Sequence, residues 1–135
     1  MQKEKSVGAV VFRKDLNRFQ FLVLKRADNA IWEFPKGHIE KDENELATLK
    51  REILEELGIN NYTLISNFKE KISYISSRAI IREFVFYLIS SEEMIKTSEE
   101  HSDYKWITIE ESKDYFEYED VIEILKRAEK VLHET

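Results

Sequence analysis

The runs SVGAVVFR (6–13) and FQFLVLKR (19–26) are rich in β-branched and aromatic residues, and the polar KDLN between them has the character of a turn. They predict an antiparallel pair of strands. IWEFPKGH (31–38) reads as an extended segment that breaks at Pro35 and Gly37, because proline drives its predecessor out of the helical region. A helix should follow: Asp42 with Glu45 three residues on has the pattern of a capping box, and Gly58 supplies the C-terminal stop. YTLISNFKEKISYI (62–75) and AIIREFVFYLI (79–89) predict two long strands, and YKWITI (104–109) a short one. Alternation in REFVFYLI sets Arg82, Phe84 and Phe86 on one side and Glu83, Val85 and Tyr87 on the other. Thr108 followed by Glu111 predicts a short capped helix, and Val121, Leu125, Ala128 and Leu132 recur at the spacing of an amphipathic helix packed on a sheet. Strands and helices mix without regular βαβ alternation, so the expected class is α+β, with a mixed sheet between helical layers.

On the helix that starts near Asp42, Glu52, Glu55 and Glu56 fall within an arc of about 100°, while Leu46, Leu49, Ile53 and Leu57 share the neighbouring arc. One face goes to the core and the adjacent one presents three carboxylates. A solvated face making i,i+4 pairs would look like this by composition alone. A hard divalent cation with oxygen ligands would equally relieve the repulsion. Gly37, without a side chain, would let its backbone carbonyl approach such an ion.

Composition narrows the alternatives. The 135 residues suffice for one domain, 1–135, and show no repeat or low-complexity linker. No apolar run approaches the roughly 18 residues that cross a bilayer, and the Met-Gln-Lys-Glu start carries no signal-peptide pattern, so a cytoplasmic protein without membrane contact is expected. The absence of cysteine excludes disulfides, thiolate metal sites and thiol nucleophiles. With 21 Lys and Arg against 27 Asp and Glu, the net charge of −6 argues against extended nucleic acid binding. A small phosphorylated ligand remains open if cations bridge the repulsion. Of only three glycines, Gly37 and Gly58 bracket the acidic stretch.

The spacing within that stretch is specific: Gly37, five residues, Glu43, seven residues, Arg51-Glu52-Ile53, one residue, Glu55-Glu56, one residue, Gly58-Ile59. It resembles the signature of the Nudix hydrolase family at every fixed position. The resemblance implies an α/β/α sandwich that cleaves nucleoside diphosphates linked to another moiety, using Mg²⁺ or Mn²⁺. It makes Glu52, Glu55 and Glu56 metal-binding carboxylates, with Gly37 beside them, and makes Arg51 and Glu43 a supporting ion pair. An anionic polyphosphate can enter an acidic site only through metals, which also polarise phosphorus and acidify the attacking water.

SVGAVVFR, WEFPKGHIE and EEHSDYKWITIEE further resemble the asymmetrical diadenosine tetraphosphate hydrolases of that family, over most of the chain. By that resemblance Lys36 and His38 reach the phosphate chain. Glu100, followed by His101, is a further metal ligand or a water-activating base on a loop. Phe86 and Tyr118 clamp a nucleobase between two rings, with Phe86 standing where the family more usually has Tyr, and Arg82 on the Phe86 side contacts phosphate. Rings on strands also serve as core. The implied reaction converts diadenosine tetraphosphate to ATP and AMP. Alternatives within the family act on diphosphoinositol polyphosphates, RNA 5′-triphosphate ends or nucleoside triphosphates. A non-catalytic nucleotide sensor is a further alternative, although all box carboxylates are present. Oligomeric state and the number of metals are not legible in the sequence.

Overall fold

The structure, a computed structural model, describes residues 2–134. Its strands are β1 (Lys3–Asp15), β2 (Arg18–Arg26), β3 (Trp32–Glu33), β4 (Lys36–His38), β5 (Thr63–Ile75), β6 (Ile81–Ser90) and β7 (His101–Ile107), with helices α1 (Glu45–Leu57) and α2 (Glu119–His133). The order is β3-β2-β1-β6-β5, with β4 also paired to β1 and β7 to β2. β1 runs parallel to β6 and antiparallel to β2 and β4, so the sheet is mixed as expected. The two-residue hairpin at Leu16 and Asn17 places both in the left-handed region, with φ of 48° and 66°. Primed turns of this kind match the twist of the flanking strands.

β1 holds the architecture together. Its second half pairs with β2 from Phe12 to Asp15, and its first half pairs with β4 from Ser6 to Gly8. The switch brings two backbones close at Gly8, where a Cβ would lie 2.4 Å from the Pro35 carbonyl oxygen. Ala9 N–H donates to that same carbonyl at 3.0 Å. Glycine is needed there for close approach. The result fixes Lys36, Gly37 and His38 beside the sheet centre.

Each face of the sheet carries one helix. Leu49, Ile53 and Leu57 of α1 pack with Val7, Ala9, Val11, Leu22 and Leu24 on one side. Ile122, Leu125, Ala128 and Leu132 of α2 pack with Val10, Phe21, Phe34, Phe84 and Phe86 on the other. This is an α/β/α sandwich with two cores. Leu46, expected on the core face of α1, is instead half exposed at the first turn, and Val121 is half-buried at the start of α2.

Two helix starts differ from the sequence pattern. Asp42 has φ +69° and does not cap α1. Asn44 does, its side chain accepting from Ala47 N–H at 2.8 Å. Glu45, instead of reaching back, points at the sheet and accepts from Lys5 Nζ at 2.6 Å and Tyr87 Oη at 2.5 Å, with Lys69 Nζ 2.8 Å away. At the second site, Thr108 N–H and Oγ1 both donate to Glu111 at 3.0 Å, but only one 3₁₀ turn (Ser112–Asp114) follows.

The Glu45 network predicts acid lability. Burial alone would raise this carboxyl, but hydrogen bonds from Lys5, Lys69 and Tyr87 outweigh it and hold it at about 2, against an ordinary 4.5. A depressed folded pKa contributes stability that is complete above 4.5 and lost as pH falls toward 2. Urea unfolding from pH 6 downward should therefore show a flatter decline for Glu45→Gln than for the wild type. Parallel curves would mean that the network contributes nothing to acid stability.

Candidate functional site

The acidic face of α1 is not uniform. Glu52 and Glu56 are buried, while the Glu55 side chain is 58% exposed at the rim. Gly37 explains how Glu52 fits: a Cβ on Gly37 would lie 2.0 Å from the Glu52 carboxylate. The missing side chain therefore makes room for the acid itself. Arg51 holds the arrangement from behind. Its Nε and Nη2 donate to the two oxygens of Glu43 at 2.7 and 3.0 Å, Nη1 donates to Glu52 at 2.7 Å, and Nη2 also donates to the His38 carbonyl at 2.9 Å. The Arg51 hydrogen bond is the main reason that the Glu43 carboxyl falls to about 2. This planar fork ties the loop before α1 to the acid it must orient.

Glu56 sits deepest. Its Oε1 accepts the Lys36 backbone N–H at 3.3 Å, while Oε2 has no hydrogen-bond partner. Burial, then the charges of Glu52 and Glu33, push its carboxyl up to about 9. Glu52 is also raised, by burial first and by Glu55, against the pull of Arg51. Among the described residues no three His, Asp or Glu side chains already converge as a metal cage. A buried carboxylate oxygen without a partner, next to a second raised carboxylate, is nevertheless a donor set that fits a hard cation. The chemistry of the set is oxygen only.

A cleft of about 710 Å³ is lined by charges of both signs: Glu40, Glu52, Glu55, Glu56, Glu99 and Glu100 together with Arg26, Lys36, His38 and Arg82. Lys36 Nζ bonds Glu33 at 3.1 Å and lies 5.5 Å from the Phe84 ring centre. His38 is exposed, with Nε2 3.9 Å from Glu4. The Arg82 guanidinium is 5.7 Å from the same Phe84 ring. Glu100 is fixed by its backbone, whose carbonyl accepts from Ala27 N–H at 2.9 Å, while its side chain remains exposed.

The aromatic residues are arranged differently from the expected clamp. Phe86 is 5% exposed; its ring stacks on Phe84 at 6.4 Å and meets the edge of Phe34 at 5.4 Å. It presents no open face to a base. Tyr118 is exposed at the start of α2 and lines neither end of the cleft. An open ring next to the cleft residue Arg82 is Tyr74, 48% exposed and stacked on Phe84 at 5.8 Å, on β5 directly across from Arg82, although like Tyr118 it does not line the cleft itself. Alternation places Phe86 on the correct side of β6 but does not tell how far α2 reaches over it.

Sequence reasoning singled out neither Tyr74, Arg26 nor Glu33, and named His101 only as the neighbour of Glu100. His101 is buried, with Nε2 2.9 Å from Glu33 and Nδ1 3.8 Å from Glu56. Burial raises Glu33, but the bonds to His101 and Lys36 more than offset it and hold its carboxyl low. The one signal in the sequence was the acid placed three residues before Lys36; the register that opposes Tyr74 to Arg82 appears only in the fold.

A NUDIX domain model matches residues 2–127. The mouse bis(5′-nucleosyl)-tetraphosphatase [asymmetrical] is 28% identical over 97% of each chain. An RNA pyrophosphohydrolase from Pelagibacter ubique is 30% identical over 80% of this chain and 78% of its own. A solved binary complex of a Caenorhabditis elegans Ap4A hydrolase superposes with a TM-score of 0.89 at 24% identity, covering 98% and 99% of the two chains.

Proposed function

The chain belongs to the NUDIX family, and from that premise we propose that it hydrolyses a phosphoanhydride bond of a dinucleoside polyphosphate with Mg²⁺ or Mn²⁺, splitting diadenosine tetraphosphate into ATP and AMP. The observation that carries this reading is a cleft in which the buried acids Glu52 and Glu56 share the lining with Arg26, Lys36, His38 and Arg82. An anionic chain needs cations around it, from side chains and from metal held by the acids. The name of the mouse relative supports the choice of dinucleotide.

Glu52, Glu55 and Glu56, with the Gly37 carbonyl and Glu100, are the groups that would hold divalent cations. Such cations, when bound, neutralise phosphate charge and activate water. Arg51 and Glu43 keep Glu52 aimed at the cleft. Lys36, His38 and Arg82 bind the phosphate oxygens. Glu100, with its side chain free on the lip, takes the proton of the attacking water or completes the ligand set. Tyr74 takes the base on its outer face, with Phe84 beneath it and Arg82 beside it, because a flat π-face accepts any base. Buried Phe86 supports that platform from below, and Tyr118 lies outside it.

A base held at Tyr74 and a phosphate chain gripped at α1 set which bond is cut, so a symmetric substrate breaks asymmetrically. The test is a panel of dinucleoside polyphosphates, nucleoside triphosphates, ADP-ribose, diphosphoinositols and 5′-triphosphorylated RNA, run with Mg²⁺ in ¹⁸O-labelled water. ATP and AMP from diadenosine tetraphosphate, with the label in one product only, are expected. Two equivalents of ADP would overturn the anchoring argument. The RNA pyrophosphohydrolase relative supports a second reading, in which the 5′-triphosphorylated RNA turns over fastest.

The platform makes its own prediction. Tyr74→Ala should raise the Michaelis constant for the dinucleotide about 5- to 150-fold, equivalent to about 1 to 3 kcal/mol of stacking, while Tyr74→Phe stays near wild type. An unchanged Michaelis constant in a folded alanine variant would place the base elsewhere.

A further inference from the structure

A cleft lined by both acids and cations tends to quench itself, because opposite charges attract whenever a side chain is free to move. Lys36 is the cation most exposed to this fate. Its own backbone N–H already bonds Glu56, and its flexible stem would let the ammonium follow. In this protein it does not, because Nζ is held at 3.1 Å by Glu33.

Resting on the reading of the cleft as a phosphoanhydride site, we propose that Glu33 is a positioning residue that keeps the Lys36 ammonium off the acids of α1. It tethers Lys36 and, through the buried imidazole of His101, supports Glu56. The Glu33 side chain is 14% exposed, and its oxygens reach three separate strands. One bonds Lys36 of β4; the other lies 2.9 Å from His101 Nε2 of β7 and 3.6 Å from Arg26 Nη1 of β2. Arg26 has a second anion in Asp28, whose oxygens accept from its Nε and Nη2 at 3.0 and 2.8 Å. Lys36 has no second carboxylate tether among the described residues. His101, 1% exposed, cannot turn away, and its Nδ1 faces Glu56 Oε2 at 3.8 Å. Neither of those two atoms has a hydrogen-bond partner. The imidazole is therefore a spacer whose orientation is set at its Nε2 end by Glu33.

The test uses Glu33→Gln, which keeps the shape and removes the charge. Mn²⁺ binding without substrate, followed by electron paramagnetic resonance, should weaken about 10-fold or more, because the released ammonium competes for the acids; supporting groups of this kind typically carry about 10- to 100-fold. The Michaelis constant should rise as well, while the melting temperature in EDTA stays within a few degrees. In a Lys36→Met background the same substitution should no longer weaken Mn²⁺ binding, since no ammonium is left to collapse. Its remaining effect on kcat should not add to that of His101→Gln. Unchanged Mn²⁺ affinity in Glu33→Gln, or penalties that add in full in both backgrounds, would overturn the proposal. If Glu33→Gln does not fold, Glu33→Asp restores the charge on a shorter stem and should bind Mn²⁺ better than Glu33→Ala; equal affinity of these two would overturn it. A wild type that hydrolyses no polyphosphate would refute the functional reading instead, and the Mn²⁺ titrations would still decide the role of Glu33.

Discussion

Glu56→Gln should lower kcat by about a thousandfold, on the assumption that the lost ligand charge is worth several kcal/mol at about 1.4 kcal/mol per factor of ten. Stability should move the other way. In the metal-free protein Glu56 is buried without a partner for Oε2, and Glu52 and Glu33 repel its charge. A carboxyl raised to about 9 costs stability as pH climbs from 4.5, where the unfolded chain ionises, toward 9. Glutamine carries no such cost. In EDTA at pH 7.5 the variant should melt at or above the wild-type temperature, and added Mg²⁺ should raise the melting point of the wild type more than that of the variant. Wild-type turnover in the variant, or full activity of the wild type in EDTA, would refute the role of Glu56.

Gly37→Ala is the second large effect, and it separates site from fold. The three atoms nearest to an added Cβ all belong to the Glu52 carboxylate, at 2.0–2.3 Å, the far end of a flexible side chain. Gly37 lies in a strand with no left-handed φ, so its backbone does not itself require glycine. The carboxylate must therefore move, taking the Arg51 contact with it. A misplacement of about 1 Å in a catalytic constellation costs on the order of a hundredfold. A loss of that size in kcat/KM is expected with a melting temperature close to that of the wild type. Undiminished activity would show that the orientation of Glu52 is not needed. A large drop in melting temperature would show that the carboxylate cannot yield.

The sequence was most informative where one residue type has one physical use. Gly58 ends α1 in the left-handed region at φ +68°, as its position predicts. The strict alternation of β6 separates Glu83, which meets Lys3 and Lys5, from Phe84, which meets Tyr74. It was ambiguous where several residues could serve. Asp42 and Asn44 are both competent caps, and tertiary pairing of Glu45 with Lys5 decides between them. Depth was not legible either. Phe84 and Phe86 share a face, yet Phe86 lies under Phe34 while Tyr74 stays open, because cover comes from segments distant in the chain. For the same reason Glu33 and His101, 68 residues apart, give no local sign that they meet.

The central position of β1 also bears on how the chain is made. Lys3 pairs in parallel with Ile81 and Val11 with Ile89, so β1 finds its inner partner only after the chain has been made as far as β6. Until then one edge of β1 is unpaired, and its partners are β2 and the short β4. Closing so long a loop costs entropy before any contact repays it, which places folding among the slower topologies, in milliseconds to seconds. The phosphate-side groups gather on the same schedule: His38 is placed by the first half of β1, but Arg82 arrives only with β6. A nascent chain stalled before residue 81 would thus display a complete acidic helix without Arg82 among the cations of the cleft.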